Sequence, residues 1–373
     1  MILSATHQQF RHEIREFANS VIKPRAGDHD RSGKFVIENV KEMALRGYLG
    51  IPWPKELGGL GLDYLAYAIA VEEISRVCAS TGLTLAAHTS LGTYPIFKFG
   101  TEAQKLKYIP PLAQGKYLGA FGLTEPNAGS DAASIESTAQ KVANGYVLNG
   151  TKRFITNAGF AGTVVVAATL DRKLGRKGIT CFIVETKSQG FIVAKEEHKL
   201  GLRASNTVEL AFEDLFVPQD NLLGHEYDGY RIFMETLDGG RISIGAFCLG
   251  MAQSALDSLI NWAQKREISQ QAAKAIADVA TEVEAARLLV YDAAIIKDQG
   301  RRADKQCAFA KLFASEVAMR SVNVAMSVIG IQSLDSESDL NRVYRDAKLG
   351  EIGEGTSEIM RLIIAKEVLK EEV

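Results

Sequence analysis

A chain of 373 residues is long enough to bury a large core and to divide into two or three structural units. Its 43 basic and 45 acidic residues nearly cancel, which argues against nucleic acid or an anionic membrane as the main partner. Met1-Ile-Leu-Ser-Ala-Thr-His-Gln8 lacks a basic segment followed by a long apolar run, and no uninterrupted apolar stretch reads as a bilayer span, so the expectation is a soluble protein of the cytoplasm or, after processing, of a mitochondrial matrix.

Residues 1 to about 118 read as helical. Phe10, Ile14, Phe17 and Val21 recur at helical spacing, as do Val36, Val40, Met43 and, less strictly, Leu45, and Tyr67 to Ile74 continues the pattern. Pro52-Trp-Pro54 and Gly58-Gly-Leu-Gly61 interrupt it as turns. Those glycines do not make a dinucleotide loop: read as GxGxxG from Gly59, the third glycine position holds Tyr64, and no strand precedes it. From Tyr117 to about His225 the texture changes to short β-rich runs, Val164–Thr169, Ile179–Val184 and Thr207–Phe212, parted by Gly, Asn, Asp and Lys, as in a small antiparallel β domain. After Gly229 long amphipathic helices return, at Val283–Lys297, Ala308–Val328 and Glu358–Glu371. The expected units are therefore 1–118, 119–228 and 229–373, in a mainly α protein with a central β domain.

Cys78, Cys181, Cys248 and Cys307 are scattered without CxxC spacing, so neither a disulfide framework nor a metal site is expected. His7, His12, His29, His88, His198 and His225 show no paired-ligand spacing and read as structural or surface residues, His88 being the one that could stand near a site.

The densest chemistry lies near the C-terminus, in Arg345-Asp-Ala-Lys-Leu-Gly-Glu-Ile-Gly-Glu-Gly-Thr-Ser-Glu-Ile-Met-Arg361. Glu354 stands between Gly353 and Gly355, just before Thr356 and Ser357, good N-caps for a helix carrying Ile359, Leu362 and Ile363. It reads as a loop carboxylate at the mouth of a helix, with glycines that let the backbone turn tightly and approach a ligand. Alone, Glu354 and Glu358 would do no more than favour a helix N-terminus.

Tyr344-Arg-Asp-Ala-Lys348 with Glu354-Gly-Thr-Ser-Glu-Ile359 resembles the C-terminal signature of the acyl-CoA dehydrogenase family, above all its short-chain and butyryl-type members. Gly122-Leu-Thr-Glu-Pro-Asn-Ala-Gly-Ser-Asp131 resembles a second, distant signature of the same family, and the similarity covers essentially the whole chain. The resemblance implies an N-terminal helical domain, an antiparallel β domain and a C-terminal four-helix bundle that builds a homotetramer. It implies α,β-dehydrogenation of an acyl-CoA, with FAD as hydride acceptor and an electron-transfer flavoprotein as the next carrier, because no side chain accepts hydride. Glu354 matches the family base, and desolvation by the acyl chain would make it a stronger one. Some branches carry the base on a helix before an arginine; the matching residue here, Gly240, cannot serve. Leu123 and Thr124 would bond the flavin pyrimidine side, Gly129 and Ser130 the pyrophosphate, and Phe154 and Thr156 the ring near N5, with Thr356 also at the cofactor. Ser130, Phe233, Leu237, Asp238, Arg241, Gly353 and Gly355 would line the substrate, its thioester carbonyl held by the Glu354 N–H and a ribityl hydroxyl. Taken alone, Phe154 lies in a plain strand, Phe233 and Leu237 in a core stripe, and Arg241 beside a helix acid.

The sequence also departs from the family. The usual Arg-x-x-Phe-Gly that reaches a neighbouring subunit's FAD is reduced to Arg266, and the glycine pair of a second interface loop to Gly330, followed by Ile331 where close backbone approach to phosphate would be wanted. These losses keep open a heteromer, and a non-catalytic accessory paralogue with weakened FAD binding; an acyl-CoA oxidase is a third reading. Gly353 stands where many straight-chain members place Tyr, which favours a short branched, cyclic or otherwise bulky acyl group.

Overall fold

The computed structural model describes residues 3–371. Helix α1 (Ala5–Phe17) starts at Ser4, whose side chain accepts the His7 N–H, and buries Phe10, Ile14 and Phe17. It is followed by α2 (Lys23–Ser32), α3 (Ile37–Leu45), α4 (Tyr64–Val77), α5 (Ala79–Ala86), α6 (Tyr94–Phe99) and α7 (Glu102–Ala113). Asp63 caps α4, and a Thr101/Gln104 capping box opens α7. Leu45, assigned to the apolar stripe from its spacing, is 81% exposed: it is the last residue of α3 and has turned away from the core.

The chain then lays down β1 (Leu118–Gly122), β2 (Thr138–Val142), β3 (Gly145–Thr156), β4 (Ala161–Thr169), β5 (Ile179–Glu185), β6 (Phe191–Glu196), β7 (Thr207–Pro218) and the short β8 (Leu222–Leu223). They form one sheet in the order β6-β7-β3-β2-β4-β5-β8, with β1 beside β4. The sheet is mixed rather than wholly antiparallel, since β1 pairs with β4 in parallel from Leu118↔Ala161 to Gly122↔Val166. The β2–β3 hairpin lies between these two strands in sequence and returns the chain to its starting direction, which a reading of local runs does not reveal.

Helices α8 (Gly229–Ala263), α9 (Gln270–Asp298), α10 (Asp304–Ile329), α11 (Asp339–Ala347) and α12 (Ser357–Glu371) complete the fold. Helices α8, α9 and α10 pack on one another, α4 packs on α8, and α12 on α10. Small residues allow the closest approach: a Cβ at Gly250 would lie 2.4 Å from the Glu72 carbonyl oxygen of α4. Contrary to the sequence reading, Gly229–Ala263 and Asp304–Leu334 are long and apolar enough to cross a membrane by length and composition, but 78% of the most apolar window of α8 is buried within the protein.

Three arginines, Arg11, Arg15 and Arg287, converge on the buried Glu72 and Glu73 and join α1, α4 and α9. A second junction sets the approach to the Glu354 loop. From α11, Arg342 donates to the Val77 carbonyl at 3.1 Å, Arg345 pairs with Asp30 of α2, and the buried Asp346 accepts the Leu202 N–H. The Tyr344–Lys348 stretch thereby ties both the helical and β segments to the turn that carries Glu354.

Candidate active site

Glu354 occupies the left-handed region at φ +53, and Gly355 follows at φ +97. A non-glycine residue held there stores backbone strain that the surroundings must impose. The next turn is a helix start: the Thr356 hydroxyl accepts the Ile359 N–H at 3.3 Å, so Thr356 is the cap of α12. The strained turn aims the carboxylate inward, where Oε2 is buried without a hydrogen-bond partner. Burial raises the Glu354 carboxyl to about 7, against the opposing pull of Lys311 and Arg241. A carboxyl balanced between its two states at neutral pH is suited to taking a proton from a weak carbon acid.

The facing wall is α8. A Cβ at Gly240 would lie only 2.0 Å from Glu354 Oε2 and 3.1 Å from Leu91. Gly240 therefore vacates the space that the carboxylate fills. Arg241, 6% exposed, pairs with Asp238, yet its Nε is buried without a partner. Burial pushes the Asp238 carboxyl up to about 6, although Arg241 draws it down. Phe233 is fully buried with its ring 4.3 Å from that of Phe121, and Leu237 is half-buried beside the same cluster. Beneath Glu354, Ser90 and Ser243 hydrogen-bond each other at 3.0 Å, next to the buried Tyr67. Gly353 is half-buried, and a Cβ there would meet nothing nearer than Leu349 at 3.5 Å.

On the sheet side, the β1 exit and β3 form a cradle. Phe154 has φ +58 and is 56% exposed, an aromatic face offered in a strained conformation, with Asn157 at φ +68 behind it. Thr156 lies between them, half-buried. The Thr124 carbonyl accepts the Arg153 N–H at 2.8 Å, fixing the Leu123–Thr124 segment beside Phe154. Ser130 and Gly129 are exposed on the loop beyond, with open space around Gly129. An outward-facing ring at strained φ above a backbone edge fits a planar heterocycle such as a flavin, which would cover the ring and use the edge.

Sequence reasoning missed what stiffens this cradle. Lys152 is fully buried, and its Nζ donates to Glu125 at 2.6 Å and to the Leu123 carbonyl at 3.2 Å. Burial pushes the Glu125 carboxyl up, but the Lys152 charge and its hydrogen bonds leave it below the ordinary range; burial brings Lys152 down to about 8. Glu125 also accepts the Ser137 N–H at 3.0 Å, closing the loop that carries Ser130. Alternation with Tyr146 and Leu148 in β3 points Lys152 inward, but its partners Glu125 and Leu123 lie 27 and 29 residues away, beyond any local pattern.

Arg266 and Gly330 are not brought to this cradle. Arg266 is exposed over the Trp262 ring at 4.4 Å, Gly330 ends α10, and among the described residues neither bonds to the β domain. The four cysteines are buried and free, and among the described residues no group of three or more His, Cys, Asp or Glu is placed to hold a metal ion. His88 is buried, its Nδ1 accepting the Gly119 N–H at 3.0 Å.

Residues 4–116, 120–215 and 227–369 match the models of the acyl-CoA dehydrogenase N-terminal, middle and C-terminal domains. The short-chain specific acyl-CoA dehydrogenase of Clostridium acetobutylicum is 44% identical over 99% of both chains. The solved butyryl-CoA dehydrogenase of Megasphaera elsdenii is 39% identical over 99% of both chains, with a TM-score of 0.97. A solved Bacillus anthracis acyl-CoA dehydrogenase, complexed with FAD, is 32% identical with a TM-score of 0.91, over 99% of this chain and 68% of that one. The chain belongs to the acyl-CoA dehydrogenase family.

Proposed function

We propose that this chain is an FAD-dependent dehydrogenase of short-chain acyl-CoA thioesters in which Glu354 removes the α-proton. The observation that carries the reading is the Glu354 carboxylate: buried, unpartnered at Oε2, raised to about 7, and set in a strained turn against a helix glycine. FAD, when bound, supplies the acceptor for the β-hydride. Phe154 and Thr156 would hold its ring, Leu123 and Thr124 its pyrimidine edge, and Gly129 and Ser130 its pyrophosphate. Arg266 and Gly330, apart from the cradle of their own chain, would serve the cofactor of a neighbouring copy, with Thr356 at the helix mouth.

The Glu354 N–H would donate to the thioester carbonyl and stabilise charge as the α-proton leaves. Ser130, Asp238 and Arg241, with Phe233, Leu237, Gly353 and Gly355, would line the path of the CoA arm and acyl group. Gly353, which carries no side chain beside Glu354, supports a short branched or cyclic acyl group. Electrons would pass to an electron-transfer flavoprotein. Exposed Ile331, Leu334, Leu362 and Leu369 support burial against further copies, a homotetramer or a heteromer with a related chain.

The test is turnover of the FAD-loaded protein on straight, branched and cyclic short-chain acyl-CoAs with an artificial electron acceptor. A higher kcat/KM for a branched or cyclic thioester supports the finer assignment; a preference for the straight chain removes it. Activity on none of them removes the dehydrogenase.

A further inference from the structure

Helix α10 buries a lysine in the middle of the protein. Lys311 is 0% exposed, in an Ala-rich run between Ala310 and Ala314. A buried ammonium must have a compensating partner. Its Nζ donates to the carbonyl oxygen of Gly355, the residue directly after Glu354. That carbonyl belongs to the second of two consecutive left-handed residues, so the bond holds the part of the turn where strain is stored.

We propose that Lys311 is the positioning residue of the Glu354 base: its ammonium pins the Glu354–Gly355 turn through the Gly355 carbonyl and supplies positive charge that favours the carboxylate form of Glu354 before substrate arrives. The inference rests on Glu354 being the base. Arg241, the other cation acting on Glu354, is occupied by Asp238. The titratable groups facing this pair from the surrounding elements are Arg241 and Cys248 of α8, Tyr67 of α4, and Glu351 and Glu358 on either side of the turn. Cys248 is pushed up to about 12 by burial and stays a neutral thiol, so it contributes no counter-charge. Burial lowers Lys311 and raises Glu354, while each draws the other back toward its charged form.

The sign follows. Removing the Lys311 charge removes an influence that lowers the Glu354 pKa, so the acidic limb of the kcat/KM profile moves to higher pH. A merely structural lysine, when lost, lowers the rate by the same factor at every pH. The experiment compares Lys311→Met and Lys311→Arg with the parent, all FAD-loaded, over pH 5.5 to 9. In parallel, calorimetry follows binding of a non-oxidisable thioether analogue of butyryl-CoA over the same range.

For Lys311→Met the limb is expected to rise by about one unit, costing about tenfold at pH 6.5 and far less at pH 9, and the pH dependence of analogue binding shifts by the same amount. For Lys311→Arg, which keeps the charge, the limb stays and the rate falls evenly. If Lys311→Met does not fold, the uncharged, polar Lys311→Gln takes its place under the same readouts: a limb that rises supports the proposal, and one that stays overturns it. A limb unmoved in folded Lys311→Met overturns the proposal. Glu354→Gln is the control for the underlying assignment: full activity in that variant removes the base itself, whereas loss of activity there with an unmoved limb in Lys311→Met removes Lys311 only.

Discussion

Glu354 and Gly240 share one place: the carboxylate Oε2 stands 2.0 Å from where a Cβ at position 240 would lie. The two positions that the family resemblance offers for a base therefore converge on one point, and a side chain at either excludes the other. Gly240→Ala must displace the carboxylate, because the helix backbone cannot retreat. The expected result is a fall in kcat on the order of 100-fold with FAD content unchanged, since misplacing a catalytic group by about 1 Å costs that much. Steady-state kinetics beside the visible spectrum checks it.

The raised Glu354 carboxyl also predicts a stability difference. The folded pKa, about 7, lies above the ordinary 4.5, so the group stabilises the fold below about pH 4.5 relative to higher pH, and this contribution is lost as pH rises through 7. Glu354→Gln removes that loss. It is expected to match the parent at pH 4.5 and to exceed it at pH 8 by on the order of 1–2 kcal/mol, by thermal or urea unfolding of the cofactor-free proteins.

Breaking the Lys152–Glu125 pair leaves an uncompensated buried charge and frees the Leu123–Thr124 edge. Lys152→Met is expected to lose about 3–5 kcal/mol of stability and to bind FAD more weakly, whereas an exposed lysine such as Lys187 replaced by Met changes neither. Urea denaturation and FAD titration of the two variants provide the comparison.

Much of this was legible in the residues themselves, and the omissions share a cause. The β-branched runs at Val164–Thr169 and Ile179–Val184 lie in β4 and β5 because burial on both faces selects such residues. Strand β3 was not drawn as one element, because Gly150 at φ +148 and Phe154 at φ +58 break its regular pattern. The α9 reading began at Val283, although Ser269 caps the helix fourteen residues earlier, its side chain accepting the Ala272 N–H. Glu354 was legible from its glycines and neighbours only as a loop carboxylate at a helix mouth, and its proposed role came from the family resemblance. Gly240 as the wall against it, Lys311 at Gly355, and Lys152 under Leu123 depend on contacts between residues 29 to 114 positions apart, which no local pattern encodes.

The proposed function gives Gly353 a role in acyl-group selection. Gly353→Tyr would add a large side chain against Leu349 beside Glu354 and is expected to lower kcat/KM for a branched or cyclic thioester by about 10–200-fold relative to a straight one, the range of pocket discrimination by size. Competition between isobutyryl-CoA and butyryl-CoA in one reaction reads the ratio directly.

The most direct measurement is the flavin absorbance of the FAD-loaded protein mixed anaerobically with a short-chain acyl-CoA, for the parent and for Glu354→Gln. With Glu354 as the base, the parent bleaches within seconds and Glu354→Gln stays yellow while still binding the thioester. Equal bleaching in both would contradict that assignment, and place the proton acceptor elsewhere.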